Sequence, residues 1–298
     1  LGLSHAYHQI LRDFNSKRWV NFSSFAYWFG KTGKTGYAST PHTMDQAYFK
    51  DYYHLEREHW WFLVRRKILA ERINTLLNRP RQIHSLNVGA ATGTTSDMLM
   101  EFGEVMSIEY DEECCRFTQG FLQTPIIQGS ILELPFEDNQ YDLVTAFDVI
   151  EHVEDHQKAV EELWRVCKPG GHIAITVPAY QFLWGPHDEI NHHFRRYTAT
   201  QLQQLFAQLK GQVIYTTYYN SFLFLPIAAF RLLVKLLQGL RSTKKEQPPA
   251  RSDHEVLGIH GWINRLLSGI FHLDYYWLKA GLRFPAGVSI MLFYKKSH

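Results

Sequence analysis

From Leu86 onward, short apolar runs rich in β-branched and aromatic residues alternate with stretches whose apolar residues return every three or four positions. Few folds satisfy that alternation. The runs are "SLNVGA" (85–90), "VMSIEY" (105–110), "TPIIQGS" (124–130), "YDLVTAFDV" (141–149), "HIAITVPA" (172–179) and "QVIYTTYY" (212–219), with a late seventh, "GVSIMLFYKK" (287–296). Runs that are apolar almost throughout suit strands buried on both faces, and intervening helices suit crossover connections. The pattern therefore predicts an α/β chain with a mainly parallel sheet covered on both sides. A chain of 298 residues, 45% of them hydrophobic, carries enough apolar surface for such a core.

Helix signals fall between the strands. In "HQKAVEELWRVCKPGG", Ala159, Val160, Leu163, Trp164 and Cys167 recur at helical spacing, and Pro169-Gly170-Gly171 turns the chain into the next strand. In "YTATQLQQLFAQLKG", Thr198 and Gln201 form a capping box and Gly211 is the expected stop. Leu55 to Leu76 reads as one amphipathic helix leading into the first strand. Four parts are expected: an extension or linker over 1–43, a core with amino-terminal lid helices over 44–219, a helical cap inserted over 220–286, and a final core strand within 287–298. The extension ends in "GKTGKTGYASTPHT", which fails as a phosphate-binding loop because Phe25 and Trp28 stand where that motif requires glycine. Met44 reads as a second beginning, so a fused or neighbouring upstream domain is an expected partner.

Composition narrows the function. A net charge of +2 is too mild for a nucleic-acid binder. Three cysteines, Cys114, Cys115 and Cys167, have neither disulfide-framework nor zinc spacing, and with no apolar leader at the start of the chain a cytoplasmic location is expected. The run "SFLFLPIAAFRLLVKLL" is too short and too interrupted to cross a bilayer, though with the basic residues that follow it (Arg241, Lys244, Lys245 and Arg251) peripheral membrane contact is an expectation.

The loop "LNVGAATGTTSDML" (86–99) follows the first strand, at the edge where parallel sheets bind ligands. A dinucleotide fingerprint would need three glycines where Gly89, Ala91 and Thr94 stand, and no lysine follows to serve a triphosphate. A tight turn admitting a small group remains, with Glu109 ending the second strand where a carboxylate grips a ribose diol.

These segments together, "LNVGAATGTTS", "VMSIEYD", "IIQGSILELPFEDNQYDLVTAFDVIEHVED" and "LWRVCKPGGHIAITVPA", resemble the class I S-adenosylmethionine-dependent methyltransferases, in the family's order over roughly 84–180. The resemblance implies a Rossmann-like seven-stranded sheet with an antiparallel last strand, and S-adenosyl-L-methionine as cofactor. It assigns Gly89, Ala90, Ala91 and Gly93 to the methionine and ribose portion, Glu109 to the ribose hydroxyls, Tyr110 to the adenine face, Ser130 and Ile131 to the adenine edge, and Phe147 and Asp148 to the methionine side. Asn87 and Ser130 stand where the family often has acids, and Ala91 where it has glycine. Asn87 is still expected to accept a hydrogen bond, with each neutral substitution costing on the order of 1 kcal/mol of cofactor affinity.

Two loops carry candidate substrate chemistry. In "DVIEHVEDH", His152 is a candidate base or a helix cap; Asp148, Glu151 and His152 lack a second carboxylate cluster, so no metal is expected. In "WGPHDEINHHFRRYT", His193 is a second candidate catalytic group. His187, Asp188, His192, Arg195, Arg196 and Tyr197 form an expected polar substrate wall, against the alternative of a solvated loop whose ion pairs contribute little. His59 and Trp60 are expected to close over the pocket from the amino-terminal side. The expected function is methyl transfer to an oxygen, or a nitrogen, of a small or medium metabolite or peptidic substrate. Alternatives are methyl-ester formation on a carboxylate, a non-catalytic cofactor-binding module, and a membrane-surface protein.

Overall fold

A computed structural model describes residues 46–79, 82–240 and 261–298. The expected extension over 1–43 and the basic residues at 241–251 lie outside the described residues. Two helices come first, α1 (Gln46–Glu58) and α2 (Trp60–Leu76), followed by β1 (Ile83–Val88), α3 (Thr94–Leu99), β2 (Gly103–Glu109), α4 (Glu112–Gln119), β3 (Ile126–Gln128) and β4 (Tyr141–Phe147). Then come α5 (His156–Val166), β5 (Cys167–Pro178), the short α6 (Pro186–Ile190), α7 (Ala199–Gln204), β6 (Gly211–Tyr219), α8 (Phe224–Leu240), α9 (Gly261–Lys279) and β7 (Ser289–Lys296).

The seven strands form one sheet in the order β3-β2-β1-β4-β5-β7-β6. All neighbours run parallel except β7, which is antiparallel to both β5 and β6. The strand order reverses between β1 and β4, so a crevice opens beyond their carboxyl ends. Register fixes what meets there: Val88 lies beside Ile108 and Ala146, and Phe147 beside Thr176. Residues 89–93, Glu109 and Asp148 are consequently neighbours.

Both sheet faces are covered. One packs Leu86, Val88, Val144 and Ile175 against Ala159, Val160 and Leu163 of α5 and Leu202 of α7. The other packs Leu143, Phe147, Met291 and Phe293 against Val64, Ile68 and Leu69 of α2 and Phe271 and Leu278 of α9. Local signals set several helix starts: Asp111 accepts from the Cys114 N–H at 2.7 Å, Asp155 from Lys158 at 2.9 Å, and Thr198 with Gln201 forms the expected box.

Three boundaries differ from expectation. The helix expected over Leu55–Leu76 is broken at His59, whose extended backbone and Nδ1, accepting from the Trp61 N–H, start α2 afresh. Cys167 opens β5, because Lys168-Pro169-Gly170-Gly171 is taken into the strand beside β4 with a register shift. Gly211 opens β6, and α7 ends at Gln204.

Asp274 of α9 is fully buried and accepts from the backbone N–H groups of Ser221 (2.7 Å) and Phe222 (3.3 Å), which ties α9 to the entry of α8. Burial raises its pKa to about 6 even against those two donors. Since the native state then holds a proton that the unfolded chain has released, stability from this group is complete at low pH and falls as pH rises from about 4 through 6. Urea unfolding of the wild type and Asp274→Asn at pH 4.5 and pH 7 should show the wild type losing on the order of 2 kcal/mol relative to the variant at the higher pH. An unchanged difference between the two proteins would contradict this.

Candidate active site

The loop after β1 is shaped by backbone conformations that only some residues tolerate. Gly89 and Gly93 sit at φ +72° and +85°, and a Cβ on Gly89 would approach a Val149 methyl to 2.5 Å. Ala91 also lies at positive φ, +46°. Its N–H donates to Glu109 Oε2 at 2.8 Å, and the Asp111 N–H donates to Oε1 at 3.1 Å, so one carboxylate fastens the β1 loop to the end of β2. Burial pushes the Glu109 pKa above the usual range, and those N–H donors pull it back. Each oxygen keeps a further lone pair for a diol hydroxyl. Tyr110 beside it is 58% exposed, leaving its ring open to stack on a planar base. Ser130 and Ile131 follow β3 on the same edge, where Ser130 Oγ accepts from the Leu132 N–H at 3.1 Å and Ile131 is packed into the core.

Asn87 does not face this loop's ligand side. Its buried amide donates to Thr95 Oγ1 and Ser96 Oγ, both at 2.8 Å, while its Oδ1 accepts from Thr145 at 3.0 Å; Ser96 continues the network to Ser107. Asparagine has the two donors that this pair of hydroxyls uses, which a carboxylate lacks.

From above, α1 closes on the same loop. Thr92 donates its hydroxyl proton to Glu56, and Arg57 reaches the Thr92 carbonyl at 3.2 Å and Asp97 at 3.3 Å. From α2, Arg65 donates to Asp148 Oδ2 at 2.5 Å and to Thr176 Oγ1 at 3.2 Å, and Thr176 donates to Asp148 Oδ1 at 3.1 Å. Burial is the largest effect on Arg65 and opposes its charge, but Asp148 together with Tyr219 and Tyr52 outweighs it, and the Arg65 pKa is raised. Asp148 itself sits at φ +58°, a strained position held by this ion pair and by its N–H to the Thr176 carbonyl at 2.9 Å. Phe147, just before it, lies beneath the Arg65 guanidinium. The sequence reading missed Glu56, Arg57 and Arg65; "EREHWWFLVRR" contains all three, but their spacing gives no sign of what lies opposite.

The loop beyond β5 gathers around Asp188, whose side chain is fully buried. Its Oδ1 accepts from Arg196 Nε at 2.7 Å and meets His193 Nδ1 at 2.9 Å, while Oδ2 accepts from the Gly185 N–H at 2.8 Å. Burial works against its charge, yet the His193 bond and the Arg196 guanidinium hold its pKa well below the usual carboxylate range. Arg196 also donates to the Ala179 carbonyl, so it is a buried brace of the loop rather than an open anion clamp. His193 turns its ring edge-to-face onto His152, 4.5 Å between centroids, and the Phe194 N–H donates to the Glu151 carbonyl at 2.8 Å, joining this loop to the one after β4. His152 is exposed at the rim but crowded by packed atoms and His193, which lower its pKa to about 3.

A cavity of about 450 Å³ opens here, lined by His152, Glu189, Asn191, His192, His193 and Phe194. His187 stands behind His193, 5.9 Å between rings, and bonds to Asn191. Arg195 donates to the Glu154 carbonyl at the outer rim, and the buried Tyr197 hydroxyl pairs with His156 at 2.8 Å. Of the expected substrate wall, His192 lines the cavity beside the candidate catalytic His193, whereas Asp188, Arg196 and Tyr197 support it from within. His59 and Trp60 are not brought to it: both are buried, and Trp60 packs on Phe271 of α9, 5.7 Å between rings. His59 is spent on starting α2.

The family described as "Methyltransferase domain" matches residues 86–175, the stretch from β1 into β5. A Mycolicibacterium smegmatis protein described as a probable S-adenosylmethionine-dependent methyltransferase is 30% identical over 155 residues, covering 51% of this chain and 59% of that protein. A Bacillus licheniformis demethylmenaquinone methyltransferase is 29% identical over 118 residues, covering 37% and 51%. The chain thus spans between half and three fifths of those relatives' lengths. Among solved structures, the methyltransferase in complex with the Haloferax volcanii Trm112 methyltransferase activator matches with a TM-score of 0.52 over 85% of this chain and 95% of that one; at 14% identity it speaks for the fold alone. The glycine loop, the acid ending β2, the reversed strand order and the antiparallel β7 agree with these matches, and over residues 86–175 the chain matches the methyltransferase domain family.

Proposed function

We propose that this protein transfers the methyl group of S-adenosyl-L-methionine to an oxygen of a small or medium metabolite. The observation that carries the reading is the alignment of two built features along one sheet edge: the Gly89–Gly93 loop fastened to Glu109, and the cavity headed by His152 and His193. The first fits the cofactor, with Glu109 accepting from the ribose hydroxyls, Tyr110 against adenine, Ser130 and Ile131 at its edge, and Ala90, Ala91 and Phe147 toward the methionine. When bound, the cofactor supplies an electrophilic methyl on sulfur. Asn87 and Asp148 serve it indirectly, Asn87 as a buried brace of the β1 loop and Asp148 as a half-buried brace of the turn after β4.

In-line displacement demands position above all. His193, held through Nδ1 by Asp188, keeps Nε2 to orient an acceptor hydroxyl or take its proton, and His152 faces the same space. A carboxylate acceptor needs no base, so methyl-ester formation is the second outcome of an activity screen, and nitrogen methylation the third. In this reading residues 44–219 with the last strand are the catalytic core, and 220–286 a helical cap. The three free cysteines among the described residues suit a reducing compartment such as the cytoplasm.

The cap also favours peripheral contact with an anionic bilayer. On α9, Trp262, Leu266, Leu273, Tyr276 and Trp277 form an exposed stripe at helical spacing; on α8, Leu225, Phe230, Leu233 and Leu236 are 52–74% exposed. Phe222, just before α8, contacts Trp277 of α9. Lys235, Arg265, Lys279 and Arg283 are exposed around them, and the one acid in the described parts of the two helices, Asp274, is buried. No helix among the described residues is long and apolar enough to cross a membrane, so the contact is interfacial.

Isothermal titration with S-adenosylhomocysteine should give one site, weakened at least tenfold in Glu109→Ala and lost in Gly89→Ala, whose Cβ has no room. Unchanged affinity in both would contradict the cofactor placement. The protein should float with phosphatidylglycerol vesicles and not with phosphatidylcholine vesicles, and a Leu233→Glu/Trp262→Glu variant should stay behind. Absence of flotation together with concentration-dependent dimerisation would assign the face to a second copy instead.

A further inference from the structure

We infer that Glu151, His152 and His193 form a binding site for one divalent transition-metal ion. Each offers one ligand atom, and those atoms lie within 4.8 Å of one another. Glu151 is fully buried, and neither of its carboxyl oxygens has a hydrogen-bond partner. A buried carboxyl with both oxygens unused calls for an occupant that the polypeptide does not supply.

The surroundings are those of a ligand set. His193 Nδ1 is held at 2.9 Å by Asp188, a buried carboxylate itself fixed by Arg196 and the Gly185 N–H, which leaves Nε2 as the nitrogen to coordinate. A histidine whose second nitrogen is held by a carboxylate has its tautomer and ring plane set for metal. The bond from the Phe194 N–H to the Glu151 carbonyl at 2.8 Å keeps the two contributing loops in register. Gly185, at the root of α6, packs against the Arg231 guanidinium so closely that a Cβ there would clash, which anchors the same loop to α8. On the open side lies the 450 Å³ cavity lined by both histidines, leaving coordination positions for water or an acceptor oxygen.

Two imidazoles and one carboxylate select a first-row transition ion over magnesium or calcium, which prefer oxygen donors throughout. The sequence expectation of no metal rested on the lack of a second carboxylate cluster to support Glu151 and His152. The fold instead brings a third ligand, His193, from a loop beyond β5. Use of the ion in catalysis rests on the methyl-transfer reading: it would hold the acceptor through its oxygen and favour loss of that oxygen's proton, with His193 Nε2 then a ligand of the ion and not the group that takes the proton. Binding of the ion does not rest on it.

The full chain, freed of metal with a chelator, is to be titrated separately with Zn²⁺, Co²⁺ and Mg²⁺ at pH 7. One equivalent of Zn²⁺ or Co²⁺ should bind, with a visible Co²⁺ spectrum of low coordination number, and Mg²⁺ should give no site. Glu151→Gln and His193→Gln should each weaken Zn²⁺ at least tenfold, and Asp188→Asn, a positioning change, 10–100-fold. Circular dichroism checks that each variant is folded. No binding, or binding indifferent to both ligand substitutions in folded protein, overturns the site. S-Adenosylhomocysteine titrated into the same samples separates the two readings, because cofactor binding kept while the ion fails counts against the metal alone, and the reverse against methyl transfer alone.

Discussion

The Glu109 carboxylate is the constraint on which the rest of the site depends. By accepting the Ala91 N–H it holds a non-glycine residue in left-handed backbone, and by accepting the Asp111 N–H it ends β2 and starts α4 in the same place. The Gly89 and Ala90 N–H groups reach the Ile108 carbonyl at 2.9 and 3.2 Å, and Glu109 extends that hold to the turn of the loop. Thr118 adds a hydroxyl to the Ala91 carbonyl at 2.9 Å from α4, and Glu56 and Arg57 close on Thr92 from α1. The loop is held from three sides by groups far apart in sequence, while its glycines let it pack closely against Val149 and Leu122.

The opposite half of the crevice is organised by a different carboxylate. Asp188 has nothing to do with solvent: it gathers Arg196, His193 and the Gly185 N–H into one buried node, and only the His193 ring carries that order outward to the cavity. Ion pairs of this kind contribute little to stability when exposed, but a buried one whose every oxygen is used fixes geometry, and removing either partner leaves an unpaired charge costing about 3–5 kcal/mol. The loop's density of charged residues is therefore largely architecture, with function confined to the few side chains that reach the cavity.

Much of this was legible in the chain itself. Near-continuous apolar runs located all seven strands, because strands buried on both faces have no polar side to obscure them. The glycine loop and Glu109 were readable because strand ends in such a sheet meet at one edge. What escaped was anything decided by pairing across the fold. Asn87 reads as a weakened acid, whereas Thr95, Ser96 and Thr145 make it a buried amide hub. Arg196 reads as part of a polar substrate wall, but Asp188 occupies it. Trp60 reads as a lid residue and is core, since the break at His59 turns it toward α9. Arg65 had no signal at all; its meaning comes from Asp148 on another element.

The account stands most directly on one crystal structure of the protein grown with S-adenosylhomocysteine. It predicts the ribose hydroxyls on Glu109, adenine beside Tyr110, and the sulfur directed toward the cavity that His152 and His193 line. A ligand lodged away from the Gly89–Gly93 loop, or a sulfur facing away from that cavity, would contradict it.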